Sequence, residues 1–340
     1  MPADLSLSRA QILAFRRRVG ALDERLPRGA RSIRRAAWVG LQDSMPRAAS
    51  LSIHARVAKT TSTTWEDPSL VQLWGPRYSA YVVAAQDLAY FSLGRLPDDA
   101  KGRKRANDAA DRVESLLGHT KKMGYGEVGA ALGVNANSLR YGTTTGRLVI
   151  RWEGARQPTL WCVPPPKITP EEARLELARR YLHVFGPTTP ASFARWAGIT
   201  PREGAAAFAA LAGSLTKVRT PIGPGWILTT DESEIRATPG PEAPARLLPS
   251  GDAYYLLQGD DRKLLLPDAE RRAELWTTRV WPGALLVGGE VVGTWRRANE
   301  KVSIQTWRRL KPVERDAVVE EAESLPLPGL PGPIVITWER

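Results

Sequence analysis

The sequence predicts an α+β protein: three tandem helix-turn-helix units, each closed by a β hairpin, followed by an antiparallel β domain. Three observations carry that expectation. Capped short helices alternate with β-branched, aromatic-rich runs between residues 125 and 232. The same order of elements recurs without close repetition of sequence. After residue 232 the texture changes to a Pro-rich connection and short strands.

The middle of the chain gives the clearest pattern. In "YGEVGAALGVNANSLRYGTTTGRLVIRWEGARQPTLWCVPPP" (125–166), Val128, Ala131 and Leu132 recur at helical spacing, and Gly133 stops the helix. Asn135 caps a second helix. "RLVIRWE" and "PTLWCVP" read as strands joined by the turn "GARQ". Helix, turn, helix, hairpin is the order of a winged helix-turn-helix, whose second helix enters a major groove. The order returns downstream. "TPEEARLELARRYLHVFG" opens with Thr169 as N-cap and Glu172 completing a capping box. "TPASFARWAGI" and "TPREGAAAFAALAG" are further helices, and "LTKVRT" and "GWILTTD" are strands around "PIGPG".

The N-terminal part reads the same way. "LSRAQILAFRRRVGAL", "RSIRRAAWVG" and "PRAASLSIHARV" are three helices, and "RYSAYVVAA" is a strand. The units expected are residues 1–100, 101–167 and 168–232, with a β-rich domain over 233–340. In that last region "AYYLLQG", "GALLVGGEVVGTWRR", "KVSIQTWRRL" and "PIVITWE" read as strands and "VERDAVVEEAES" as a helix, with a hairpin turn at Gly288-Gly289.

Composition narrows the function. The 340 residues carry a net charge of +12, and 43% of them are hydrophobic. A packed core is expected, and so is an anionic partner: nucleic acid first, anionic membrane second. Cys162 is the only cysteine, which excludes an intramolecular disulfide. His54, His119 and His183 lie far apart, so no metal site is expected. The N-terminus lacks the apolar stretch of a signal peptide, and no run reaches the length of a membrane span. The expected location is the cytoplasm, in contact with the nucleoid.

Several groups could touch DNA. Arg17, Arg18, Arg31, Arg34 and Arg35 on the first two helices form either a solvated face or a phosphate-contacting one. "KGRKRAND" (101–108) would add affinity without specificity. Asn137 and Arg140, near the start of the second helix of the middle unit, are side-chain types that read base edges; Asn135 is a cap. "GTWRRANEKVSIQTWRRL" holds Trp-Arg-Arg twice. Trp295 with Arg296 and Arg297 is either a stacking platform for DNA or a core Trp with arginine over its edge. The stretch "WVGLQDSMPRAASLSIHARV" (38–57) contains the polar triplet Gln42, Asp43, Ser44. A water held between a carboxylate and an amide is the minimum equipment for hydrolysing an N-glycosidic bond. The same triplet before Pro46 is also a good turn and helix entry.

Five segments occur together in a fixed order: "GLQDSMPRAASLSIHARV", "LVQLWGPRYSAYVV", "YLHVFGPTTPASFARWAGI", "LLPSGDAYYLLQGDDR" and "VVGTWRR". In this the chain resembles the winged-helix DNA-binding-domain family that contains the bacterial interstrand-crosslink-repair and alkylpurine DNA glycosylases. The resemblance implies a C-shaped cradle of three winged helices and a β domain around double-stranded DNA. It implies no cofactor and removal of alkylated or crosslinked purines. Arg77, Arg262, Trp295, Arg296 and Arg297 would line the cradle. A monomer is expected, since three such units in one chain remove the need for a dimer to span DNA.

The family's catalytic signature is Gln, a hydrophobic residue, then Gln or Asp. Here Gln42 matches the first position, the middle is Asp43 and the third is Ser44. In extended backbone Gln42 and Ser44 share a face and Asp43 points away. The enzyme reading needs Gln42 and Asp43 to converge on a water in the cradle, with Ser44 secondary. The competing reading is a non-catalytic binder, either a transcription regulator or a lesion-shielding resistance protein. An Asp43 buried and capping the next helix would favour that binder.

Overall fold

The computed structural model describes residues 5–43, 47–118, 120–154, 157–240, 243–327, 329 and 333–339. The chain is a mixed α+β protein, with three sheets among the described residues. The largest has six strands, in the order Leu41–Gln42, Ala80–Ala84, Leu70–Trp74, Leu148–Arg151, Thr159–Cys162, Met123–Gly124. It runs unbroken across position 100. A three-stranded sheet sets Leu5–Ser6 parallel to Leu215–Thr220, which pairs antiparallel with Gly223–Leu228.

The C-terminal sheet is ordered Arg246–Leu248, Gly283–Val287, Glu290–Ala298, Lys301–Thr306, Val335–Glu339. Its last pair is parallel, not antiparallel as expected. Helix Pro312–Glu323 lies between these two strands in the chain and brings the final one in the same direction. The expected strand "AYYLLQG" is instead a 3-10 turn over Ala253–Tyr255. Asp252 accepts a hydrogen bond from the Tyr254 N–H at 2.9 Å and bends the chain there. Helix ends fall where the caps are. Thr169 and Thr200 make capping boxes with Glu172 and Glu203, and Asn135 accepts from the Asn137 N–H.

The main core joins the middle of the chain to both ends. Tyr181, Phe185, Phe193 and Trp196 stack in it, with Tyr81, Phe91 and Tyr255 around them. Arginine carries much of the stitching between layers. Arg16 is buried and donates to the carbonyls of Phe185, Gly186 and Pro187. Arg95 donates to Trp74 and Ala197, and Arg174 donates to Gly94 and Leu96 while pairing with Asp98. A long cation that reaches a buried carbonyl satisfies an acceptor that would otherwise lose its water. Part of the basic excess is therefore internal.

Candidate nucleic-acid interface

Gln42 is the second residue of the short strand Leu41–Gln42, paired with Tyr81. Its Oε1 accepts from Arg77 Nη2 at 2.9 Å. Arg77 and Tyr78 both hold positive φ, 54° and 56°, in a tight turn after Gly75. Non-glycine residues adopt that region only under constraint. Gly198, itself at φ 73°, closes on the Arg77 backbone so tightly that a Cβ would sit 2.9 Å from its nitrogen. On the other side Gly251, at φ 78°, leaves room for the Gln42 amide, which a Cβ there would meet at 3.0 Å. The Tyr255 hydroxyl accepts from the Gly251 N–H at 3.2 Å and reaches the carbonyls of Pro249 and Pro282. That loop is rigid.

Asp43 faces the other way. It is fully buried. Its Oδ1 accepts from the Ala49 N–H at 3.0 Å, in the first turn of helix Ala48–His54, and its Oδ2 accepts from Gln72 Nε2 at 2.8 Å. Arg47 is 3.9 Å away. Burial pushes the Asp43 carboxyl up to about 6, against the opposing pull of the Ala49 N–H, Arg47, Gln72 and Arg151. Register explains the divergence: Leu41 pairs with Val82 and Gln42 with Tyr81, so the pleat sends consecutive side chains to opposite faces. The convergence of Gln42 and Asp43 on one water is therefore corrected: their side chains do not meet. Ser44 and His119 lie outside the described residues.

The other expected DNA contacts divide into buried and surface groups. Trp295 is 5% exposed, sits in the core of the C-terminal sheet and donates from Nε1 to the Leu248 carbonyl at 2.9 Å. It is a packing residue and offers no stacking face. Arg296 and Arg297 are exposed on the same strand. Strand Lys301–Thr306 ends before Trp307, so the second Trp-Arg-Arg is a turn in which Arg308 pairs with Glu314. Asn137 is exposed, with its Oδ1 accepting from the Tyr125 hydroxyl at 2.9 Å. Arg140 lies over the rings of Trp74 and Tyr125. Of the N-terminal arginines, Arg17 bonds Asp23 and the Gly289 carbonyl, and Arg18 bonds the Glu234 carbonyl. Arg31 and Arg34 stay near the surface. Cys162 is buried, and its thiol is pushed up by burial.

Arg262 rests over Trp276 and Trp281 and donates to the Leu257 carbonyl. Burial and the charges of Arg77 and Arg195 lower its pKa. Arg262 therefore feels the charges of Arg195 and of Arg77, and Arg77 is the one that bonds Gln42. Sequence reasoning missed Arg195 and Gly251. "FARWA" did show an arginine between core positions of a helix, but nothing local tied it to Gln42.

The five ordered segments contact one another in the fold. Gln42 touches Arg77, Gly198 touches Arg77, and Gly251 touches Gln42. Thr188 bonds Asp261 at 3.0 Å, and Trp295 bonds Leu248. Asp252 takes both arms of Arg56 at 2.7 Å and the Ser52 hydroxyl at 2.7 Å. Among the described residues no cluster of His, Cys, Asp and Glu could hold a metal ion, and no helix is long and apolar enough to cross a membrane.

A basic α+β chain that holds one constrained amide with an arginine has the makings of a nucleic-acid-binding protein. The family model described as DNA glycosylase AlkZ-like matches residues 33–326, and the chain belongs to that family. An interstrand DNA cross-link repair glycosylase of Streptomyces sahachiroi is 27% identical over 157 residues, covering 45% of this chain and 42% of that relative. The solved structure of the Streptomyces sahachiroi DNA glycosylase AlkZ shares the fold, with a TM-score of 0.75 at 19% identity over 98% of this chain and 100% of that one.

Proposed function

We propose that the protein is a monofunctional DNA glycosylase acting on alkylated or crosslinked purines in double-stranded DNA. Family membership and the setting of Gln42 support this reading, and the latter carries it: a half-buried amide held by Arg77 with Gly251 close against it. Gln42 orients a water toward the sugar C1′. The bond electrons leave with the base, the water oxygen bonds to C1′, and its proton goes to solvent. A purine alkylated on the ring is already cationic and departs neutral, so no acid is needed. Arg77, Arg262, Arg296 and Arg297 hold the phosphates on either side, with Arg195 beside them.

The architecture proposed for this work is three tandem winged helices, over 1–100, 101–167 and 168–232, with residues 233–340 completing a C-shaped cradle. The element order supports it. Helices Pro170–Phe185, Pro190–Ala197 and Pro201–Ala210 precede a hairpin, as do the helical segments of the middle unit. One such chain acts as a monomer on DNA in the cytoplasm.

The test is release of base from duplex DNA carrying an N7-alkylguanine. Wild type releases it, and Gln42→Ala does not while still binding the duplex. No release by wild type, or equal release by Gln42→Ala, overturns the proposal. One observation favours a non-catalytic DNA binder: the buried Asp43 carboxylate holds the start of the next helix. That reading predicts duplex binding by wild type with no base release at all.

A further inference from the structure

A cavity of about 390 Å³ lies against the six-stranded sheet. Gln72 and Val82 line it. They pair with each other one residue out of step with the Tyr81–Leu73 pair that backs Gln42, while Arg151 and Trp161 are one step off the Gln72–Ile150–Leu160 row, so the lining draws on both faces of the sheet. Trp65, Val71, Ile150 and Trp161 make much of its lining apolar. Lys122 and Arg151 are its basic residues, and Arg151 pairs with Glu66 at 2.9 Å and lies 3.8 Å from Glu153. Lys122 Nζ sits 4.7 Å from the Trp161 ring centroid, and the Arg151 guanidinium lies 3.7 Å from that of Trp65. Trp161 is only partly buried and Lys122 is exposed.

The volume is in the range that takes a single small organic group. An indole beside the Lys122 ammonium suits a planar aromatic ring joined to an anion. On a chain of net charge +12 in a DNA glycosylase family, the group with both features is one nucleotide of a DNA strand. A paired base cannot enter, because its faces are covered by the stack. We infer that this cavity is a binding site for an unpaired nucleotide, whose base stacks on Trp161 while its phosphate meets Lys122. The flexible Lys122 stem lets its ammonium swing from the ring face to the phosphate.

The inference rests on DNA as the partner but not on base release. The experiment compares, at one salt concentration, binding of a fully paired duplex with binding of the same duplex carrying a single-nucleotide bulge. Wild type binds the bulged duplex more tightly. Trp161→Ala loses roughly tenfold on the bulged duplex, as expected for one lost base–aromatic stack, and stays within about twofold on the paired one. Trp161→Phe, which keeps a stacking ring, retains the preference and checks that folding is intact. Equal binding of both duplexes by wild type overturns the site, and so does an unchanged preference in Trp161→Ala. Displacement of the bulged duplex by an equal nucleotide concentration of deoxynucleoside monophosphate also overturns it, since free nucleotide would then be the ligand. Absence of base release alongside an intact preference sinks only the glycosylase proposal.

Discussion

Replacing Asp43 by Asn tests the electrostatics of the turn after Gln42. The folded carboxyl titrates at about 6 against an ordinary 3.8, because burial penalises its charge. Between those values the folded state holds a proton that the unfolded chain has lost. The resulting stabilisation is fully present below 3.8, fades as pH rises through the window and is gone above about 6. At 1.36 kcal/mol per unit the swing is roughly 3 kcal/mol. For a chain of this length that is roughly 4 °C in Tm, taking about 2.1 cal/mol/K of unfolding entropy per residue. The Asn variant does not titrate. Its amide still accepts from Ala49, but its NH2 meets the donor Nε2 of Gln72, whose Oε1 is held by the Trp152 N–H at 2.6 Å. That mismatch is a fixed offset at every pH. Thermal melts of both proteins from pH 4 to 7.5 measure the difference. Wild type gains on Asp43→Asn toward pH 4; a difference constant within about 1 °C would show that Asp43 does not titrate in this window and would refute the reasoning.

Two further outcomes separate packing from function. Trp295→Ala removes a buried indole and leaves the Leu248 carbonyl unpaired, so it costs about 3–5 kcal/mol in a denaturant titration. A variant of wild-type stability but weakened DNA binding would mean that Trp295 faces the ligand. Gly251→Ala puts a Cβ 3.0 Å from the Gln42 amide at a φ of 78°, so base release falls at least about tenfold while paired-duplex affinity is kept. Unchanged release would detach the 249–252 loop from the reaction.

The helices were legible because their ends are written locally. Thr169 and Asn135 each cap through groups two or three residues away, and both caps form as expected. Long-range pairings were not legible. Nothing in "LS" at residues 5–6 announces a parallel partner at 218–219, and nothing in "PIVITWE" says that it runs parallel to 301–305. At the site, the order of five segments singled out Gln42. The glycines that make room for it and for Arg77 act only after distant loops have met. Trp295 was open to two readings because a strand shows which residues share a face but not whether that face is covered.

The pleat also limits the chemistry. To turn Asp43 toward Gln42's side, the strand would have to slip by one residue against Ala80–Ala84. That slip would also take Leu41 out of a core where it is 1% exposed, and would break the Asp43 N–H bond to the Ala80 carbonyl at 2.8 Å. Burying Leu41 alone is worth about 1.5–3 kcal/mol, and the lost hydrogen bonds at Ala49 and Gln72 add about 1 kcal/mol or more each. The register is therefore fixed. A glycosylase working at Gln42 does so without the Asp43 carboxylate to draw a proton from the water. Such a site favours leaving groups that need little help, which are purines already carrying a positive charge. Neutral adenine and guanine, whose departure requires protonation, fall outside its range. Excision of an N7-alkylated purine with no release of an unmodified purine in the same duplex is the pattern this geometry demands; release of both would require an acid or base beyond Asp43 acting at the site.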